Sequence, residues 1–244
     1  MEKLQNKTIL ITGANRGIGK SLVKAALAKG AGKIYATSRG IKNLPDFGDD
    51  RVVPLEFDIT DNNQIEYIAA KASDTQVLIN NAGVLNPGTV LEGDMEGKQK
   101  DMEVNYFATI NMMRAFAPIL EKNTPARMVN IVSIAAYSPL PFIAGYAASK
   151  AALFSATQAV RIELAKKGIT VHSVSPGAID TDMNKGSEWE MPAPDGIAEI
   201  ILSEVENGVL DIIPDDMGKG MYNSWREAPS NLAQTFHDMY HGEE

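Results

Sequence analysis

The chain has no cysteine. That excludes disulfides, thiolate nucleophiles and thiolate metal sites, and it fits a reducing compartment, so the cytoplasm is the expected location. Histidine is scarce as well. His172, His237 and His241 show no catalytic or metal-ligand spacing, and no metal is expected. Positive charge is in deficit, with a formal net charge of −8, which argues against nucleic acid or an anionic membrane as a partner. Long apolar runs are missing too. The N-terminal run Lys7–Thr12 is too short for a signal-peptide core. Residues 128–148 are interrupted by Asn130, Pro139 and Pro141 and read as a strand plus a loop, not a membrane span.

What is present is 44% hydrophobic content over 244 residues, enough for one large core. No repeat, low-complexity stretch or linker divides the chain, so residues 1–244 are expected to form a single domain. Apolar β-branched runs alternate with stretches of helical spacing. Strands are predicted over 7–12, 33–37, 52–57, 77–80, 128–132 and 169–174. Helices are predicted over 18–29, 61–72, 95–120 (bent near Pro118), 146–166 and 195–206. An apolar run follows at 209–213, and the tail beyond it reads as irregular. This alternation implies an α/β fold, a doubly wound parallel sheet with helices on both faces. Ligands then bind beyond the carboxyl ends of the strands.

Between the first strand and first helix lies Thr12-Gly13-Ala14-Asn15-Arg16-Gly17-Ile18-Gly19. Glycines there allow a tight turn and close backbone approach to a pyrophosphate, and the helix N-terminus offers free N–H groups. An isolated glycine trio would be an ordinary turn; its place after the first strand points to a dinucleotide. At the end of the second strand, where an acid would hold a ribose 2′-hydroxyl, stand Ser38 and Arg39. With Arg16, Arg39 supplies guanidinium forks suited to a 2′-phosphate, which points to NADP over NAD. Tyr146 and Lys150 are four residues apart on one helix face. A phenol titrates near pH ~10 when unperturbed, and a neighbouring ammonium lowers that value, which makes the pair a candidate acid/base. Ser133 precedes Tyr146 by thirteen positions, and Asn105 lies in the helix before that strand.

Together these segments resemble the classical short-chain dehydrogenases/reductases over roughly residues 6–182. The glycine motif, Asn80-Asn81-Ala82-Gly83, the Asn105, Ser133, Tyr146 and Lys150 set, and the turn Pro176-Gly177 each match in order. The resemblance implies a Rossmann-like fold and hydride transfer between a nicotinamide and a ketone, aldehyde or alcohol. By the same resemblance Tyr146 gives the proton, Ser133 holds the substrate oxygen, and Lys150 tunes Tyr146 and holds the nicotinamide ribose. Asn105 positions a relay water. The implied cofactor contacts are Gly13, Asn15, Arg16, Gly17, Ile18, Gly19, Ser38, Arg39, Asp58, Ile59, Asn81, Ala82, Gly83, Tyr146, Lys150, Pro176, Gly177, Ile179 and Thr181. Asp58 alone also suits a helix cap.

A variable lid over about 182–194 is expected to cover the substrate. Met183, Trp189 and Met191 from the lid, with Leu85, Leu140 and Phe142, point to an apolar pocket and a hydrophobic carbonyl substrate. Ile134 stands where relatives often carry a second serine, and Val209–Pro214 departs from the family's usual segment near the last strand. A homodimer or homotetramer is expected. The alternative is a cofactor-binding regulator without turnover, although no member of the Asn-Ser-Tyr-Lys set is missing.

Overall fold

The computed structural model describes residues 3–242. Seven parallel strands form one sheet in the order β3-β2-β1-β4-β5-β6-β7. They are β1 (Thr8–Ile11), β2 (Lys33–Ser38), β3 (Val52–Glu56), β4 (Val77–Asn80), β5 (Ala126–Ile131), β6 (Ile169–Val174) and β7 (Asp211–Ile212). The chain winds outward from β1 to β3, returns to the middle, and winds the other way from β4. Strand order therefore reverses between β1 and β4, which pair with Leu10 opposite Leu78. That reversal opens a crevice beyond the strands' carboxyl ends.

Alternating side chains split the core into two layers. Ile9 and Ile11 face one side, with Leu22 and Val23 of α1 (Gly17–Ala28) and Ile201 and Leu202 of α6 (Pro194–Asn207). Leu10 faces the other side. It joins Ile68 of α2 (Asn62–Lys71), Phe116 of α4 (Thr109–Lys122) and Leu153 of α5 (Ala144–Leu164). Each such side chain is fully or nearly fully buried, a burial worth about 1.5–3 kcal/mol per residue.

Four sequence expectations need correction. The helix expected over 95–120 runs instead as α3 (Met95–Met102), a π-helical turn at Glu103–Ala108 and α4. The irregularity falls around Asn105, while Pro118 sits inside α4. The fifth helix starts at Ala144, two residues ahead of Tyr146. The apolar run at 209–213 contributes only the two-residue β7. The tail is helical, not irregular, forming α7 (Asp216–Glu227) and α8 (Pro229–His241). Asp215 caps α7 through the Gly218 amide, and Pro229 occupies the first turn of α8, where its missing N–H does no harm. Two glycines in α7, Gly218 and Gly220, hid that helix from its composition. Among the described residues no helix is long and apolar enough to cross a membrane.

Candidate active site

The glycine turn and the Asn-Asn-Ala-Gly turn meet at the β1–β4 switch point. The Thr12 hydroxyl accepts the Asn81 and Ala82 amides at 2.9 and 3.0 Å, and Asn81 Nδ2 donates to the Thr12 and Gly13 carbonyls. Contact is so close that a Cβ on Gly13 would lie 2.9 Å from the Ala82 Cα, and one on Gly19 would lie 2.1 Å from the Gly13 oxygen. Gly13 and Gly17 also have positive φ, at 67° and 52°. α1 starts with neither a side-chain cap nor an acid in its first turn. Its free amides and positive end therefore face the cleft. A dinucleotide pyrophosphate fits this cradle.

One continuous cleft runs from that cradle past the ends of β2, β3, β4, β5 and β6. At the β2 end, Arg39 is exposed and lines the cleft, whereas the buried Ser38 hydroxyl donates to the Gly40 carbonyl at 2.7 Å. Arg16 lines the cleft as well, and its guanidinium pairs with Asp182 at 3.3 Å. Asp58 and Ile59 line the wall beyond β3. Asp58 is not a helix cap. Its Oδ1 accepts the Thr60 amide and hydroxyl, and Asp61 caps α2 through the Asn63 and Gln64 amides. Asn15, Ile18, Ala82, Gly83, Pro176, Gly177, Ile179 and Thr181 also line the cleft.

Ser133, Tyr146 and Lys150 lie together on the cleft wall. Lys150 Nζ donates to the Ile131 carbonyl at 2.8 Å and stands 5.7 Å from the Tyr146 ring centroid. Burial pushes the Tyr146 phenol up to about 12, against the opposing hydrogen bond from Ser133. Burial also pushes Lys150 down to about 8, opposed by the buried carboxyl of Asp101. In the empty cleft, burial and the Asp101 carboxyl both favour the neutral phenol, and the Ser133 hydrogen bond opposes them.

Asn105 sits behind the wall instead of lining it. Its side chain accepts the Val84 amide and donates to the Val84 carbonyl and to Ser149, so it braces the loop after Gly83. Asn105 Oδ1 and Lys150 Nζ converge on Gly83, where a Cβ would meet them at 3.0 and 3.6 Å.

Of the expected substrate-side residues, Leu85, Leu140, Met183 and Trp189 line the cleft. Phe142 and Met191 do not. Phe142 spends its carbonyl on the Gly88 amide, and its ring points to solvent. Met191 directly precedes Pro192, whose carbonyl accepts the Asp180 amide.

Sequence reasoning missed Met217, Met221 and Phe236, which enter the cleft from α7 and α8. It also missed Asp101, a fully buried carboxyl whose Oδ1 accepts both nitrogens of Asn86 while Oδ2 has no partner among the described residues. The i, i+4 spacing of Met217 and Met221 and of Leu232 and Phe236 was a usable helical signal. Nothing in the sequence marks Asp101.

The glycine cradle and the wall carrying Ser133, Tyr146 and Lys150 thus share one cleft. A family model described as short chain dehydrogenase matches residues 7–191; the chain belongs to that family. A short-chain dehydrogenase from Burkholderia cenocepacia, solved in complex with NADP, superposes with a TM-score of 0.92 at 37% identity, covering 96% of this chain and 99% of that one. The 3-ketoacyl-(acyl-carrier-protein) reductase of Brucella melitensis, solved with NADH, gives a TM-score of 0.79 at 25% identity, covering 86% and 98%. In sequence, the 3-oxoacyl-(acyl-carrier-protein) reductase of Salmonella typhimurium is 31% identical over 213 residues, 84% of each chain. The protein is thus an oxidoreductase of this family.

Proposed function

We propose that the protein is an NADP(H)-dependent oxidoreductase that interconverts a hydrophobic ketone or aldehyde and its alcohol, with Tyr146 as acid/base. The observation that carries the reading is the convergence of Ser133, Tyr146 and Lys150 on one wall of the cleft that begins at the glycine cradle. A bound reduced nicotinamide supplies the hydride. This chain's own residues do the rest. Tyr146, protonated at neutral pH, gives its proton to the substrate oxygen as negative charge develops there. The Ser133 hydroxyl steadies that oxygen. Lys150, anchored on the Ile131 carbonyl, holds a positive charge beneath the reacting end. Asn105 keeps the Val84 backbone, and with it the cleft wall, in place.

NADP over NAD rests on Arg16 and Arg39 at the cleft and on the lack of an acid at the end of β2. Cytoplasmic location is supported by the cysteine-free composition. A homodimer or homotetramer is supported by apolar side chains left exposed on the helices, Phe107 and Ile162 among them.

The test is loss of reduced-cofactor absorbance against a panel of ketones and aldehydes, with NADPH and NADH in parallel. Turnover favouring NADPH supports the whole reading. Turnover favouring NADH rejects the cofactor assignment only. Cofactor binding without turnover on any carbonyl replaces the enzyme with a binding-only regulator.

A further inference from the structure

A carboxyl group that the proposed chemistry leaves unused stands behind the wall of the cleft. Asp101, near the end of α3, precedes Asn105 by four residues, and both side chains reach the same loop. Asn105 takes the Val84 amide at 2.9 Å, and Asp101 takes the Asn86 amide at 3.0 Å. Asp101 is wholly buried, and its Oδ1 also accepts Asn86 Nδ2. Its Oδ2 is turned towards the first turn of α5, where a Cβ on Gly145, the residue before Tyr146, would lie 3.0 Å away. That helix starts with neither a side-chain cap nor an acid in its first turn. Its positive end therefore meets a carboxyl supplied by another helix.

Lys150 occupies the same layer. Its Nζ and Asn105 Oδ1 both approach Gly83, and the side chain is nearly fully buried. A buried ammonium and a buried carboxylate are each costly alone, and each is tolerable when the other balances it. Other charges nearby are spent elsewhere. Lys98 lays its stem on Gly145, but its Nζ donates to the Gly93 and Asp94 carbonyls. Lys100 lines the cleft and pairs with Glu103 at 2.7 Å. The neighbours that β5 and the π-helical turn bring to Lys150 are the Ile131 carbonyl and Asn105, both uncharged. On its own helix the titratable neighbour is Tyr146. Burial lowers the pKa of Lys150, and the Asp101 carboxyl opposes it; burial raises that of Tyr146, and the carboxyl adds to it. In return, burial raises the pKa of Asp101, while the Asn86 hydrogen bonds and Lys150 oppose it.

We infer that Asp101 is a positioning residue of this site, a carboxylate behind the wall that balances the Lys150 ammonium while it holds the loop at Asn86. The inference rests on the reading of Tyr146 and Lys150 above and adds the group that helps to keep both protonated.

The experiment separates charge from support. Asp101→Asn keeps an oxygen for the two Asn86 hydrogen bonds and removes the charge. In the protein alone, the Lys150 side chain is titrated by carbon-13 NMR after lysine labelling, its signal assigned by its loss in Lys150→Met. The midpoint, near pH 8 in the wild type, should move to lower pH in Asp101→Asn. The alkaline limb of kcat for reduction of the best carbonyl in the panel should move the same way. By reciprocity the Asp101 carboxyl should titrate at higher pH in Lys150→Met than in the wild type, and this second titration carries the test if Asp101→Asn does not fold. An Asp101→Asn enzyme slowed equally at every pH, with the Lys150 midpoint unmoved, would reduce Asp101 to a structural support and overturn the inference. So would an Asp101 titration indifferent to Lys150. Linked titrations in a protein that turns over no carbonyl would leave the charge pair standing and defeat the proposed function instead.

Discussion

The carboxylate of Asp215 accepts the Gly177 amide at 2.8 Å through one oxygen and the Gly218 amide at 2.7 Å through the other. One buried side chain thereby joins the turn after β6 to the first turn of α7, so the tail helices are indexed to the end of the sheet. The packing is tight: a Cβ on Gly177 would lie 2.6 Å from Asp215 Oδ1. Asp215→Ala removes a cap and leaves two amides unpaired, a loss of about 1–3 kcal/mol. Urea unfolding should show that loss, and a variant with the wild-type midpoint would remove Asp215 from this role.

Tyr146→Phe removes the phenol and leaves the ring packed against Ala147 and Ala135. Turnover should fall by about two to four orders of magnitude, with cofactor binding by fluorescence titration unchanged. Because Lys150 loses its charge through about pH 8, reduction by the wild type should decline as pH rises through that region. Lys150→Met should be slow at every pH and lack that limb. A Tyr146→Phe enzyme that keeps most of its activity would place the proton donor elsewhere.

Arg39 is exposed just after β2, lines the cleft and pairs with no carboxylate among the described residues. Arg39→Ala should therefore weaken NADPH binding far more than NADH, by about tenfold or more for a lost charge-assisted contact. Equal losses for the two cofactors, measured by titration, would disprove a 2′-phosphate clamp.

His172 is wholly buried, with Nδ1 at 2.6 Å from the Val209 carbonyl and Nε2 without a hydrogen-bond partner among the described residues. Burial pushes its pKa down to about 4 from the ordinary 6.5. Between those values the unfolded chain binds a proton that the folded chain refuses, so stability falls as pH drops from about 6.5 towards 4. One such proton gives a slope of at most about 1.4 kcal/mol per pH unit. Urea midpoints at pH 7 and pH 5 should differ for the wild type, and His172→Leu should lessen the difference. An unchanged pH dependence in the variant would show the loss to arise from other groups.

Much of the site was legible because its chemistry demands particular residues at short range. The glycines of residues 13–19 are needed where backbone touches backbone, and Gly19 has no room for any Cβ beside the Gly13 oxygen. Tyr146 and Lys150 share a helix face because a turn separates them. Other features were not legible because they depend on partners far away in the chain. Phe142 looked like pocket lining by its apolar character, yet its backbone is held by Gly88 and its ring turns outward. The burial of Tyr146, which raises its phenol in the empty cleft, was not legible either, because burial is a property of the assembled cleft.

The sequence alone determined the strand–helix alternation, and hence the doubly wound sheet, together with the cradle, the Ser-Tyr-Lys set and the missing acid after β2. These are local: periodicity, turn chemistry and residue type carry them. Only the tertiary structure decided which tail residues line the cleft along with Tyr146. Met217, Met221 and Phe236 lie well over sixty residues beyond it in the chain. They reach the cleft because Asp215 seats α7 on the turn after β6 and α8 folds back against Leu140. Contacts between such distant segments are set by packing and by single buried hydrogen bonds, and neither leaves a periodic trace in the chain.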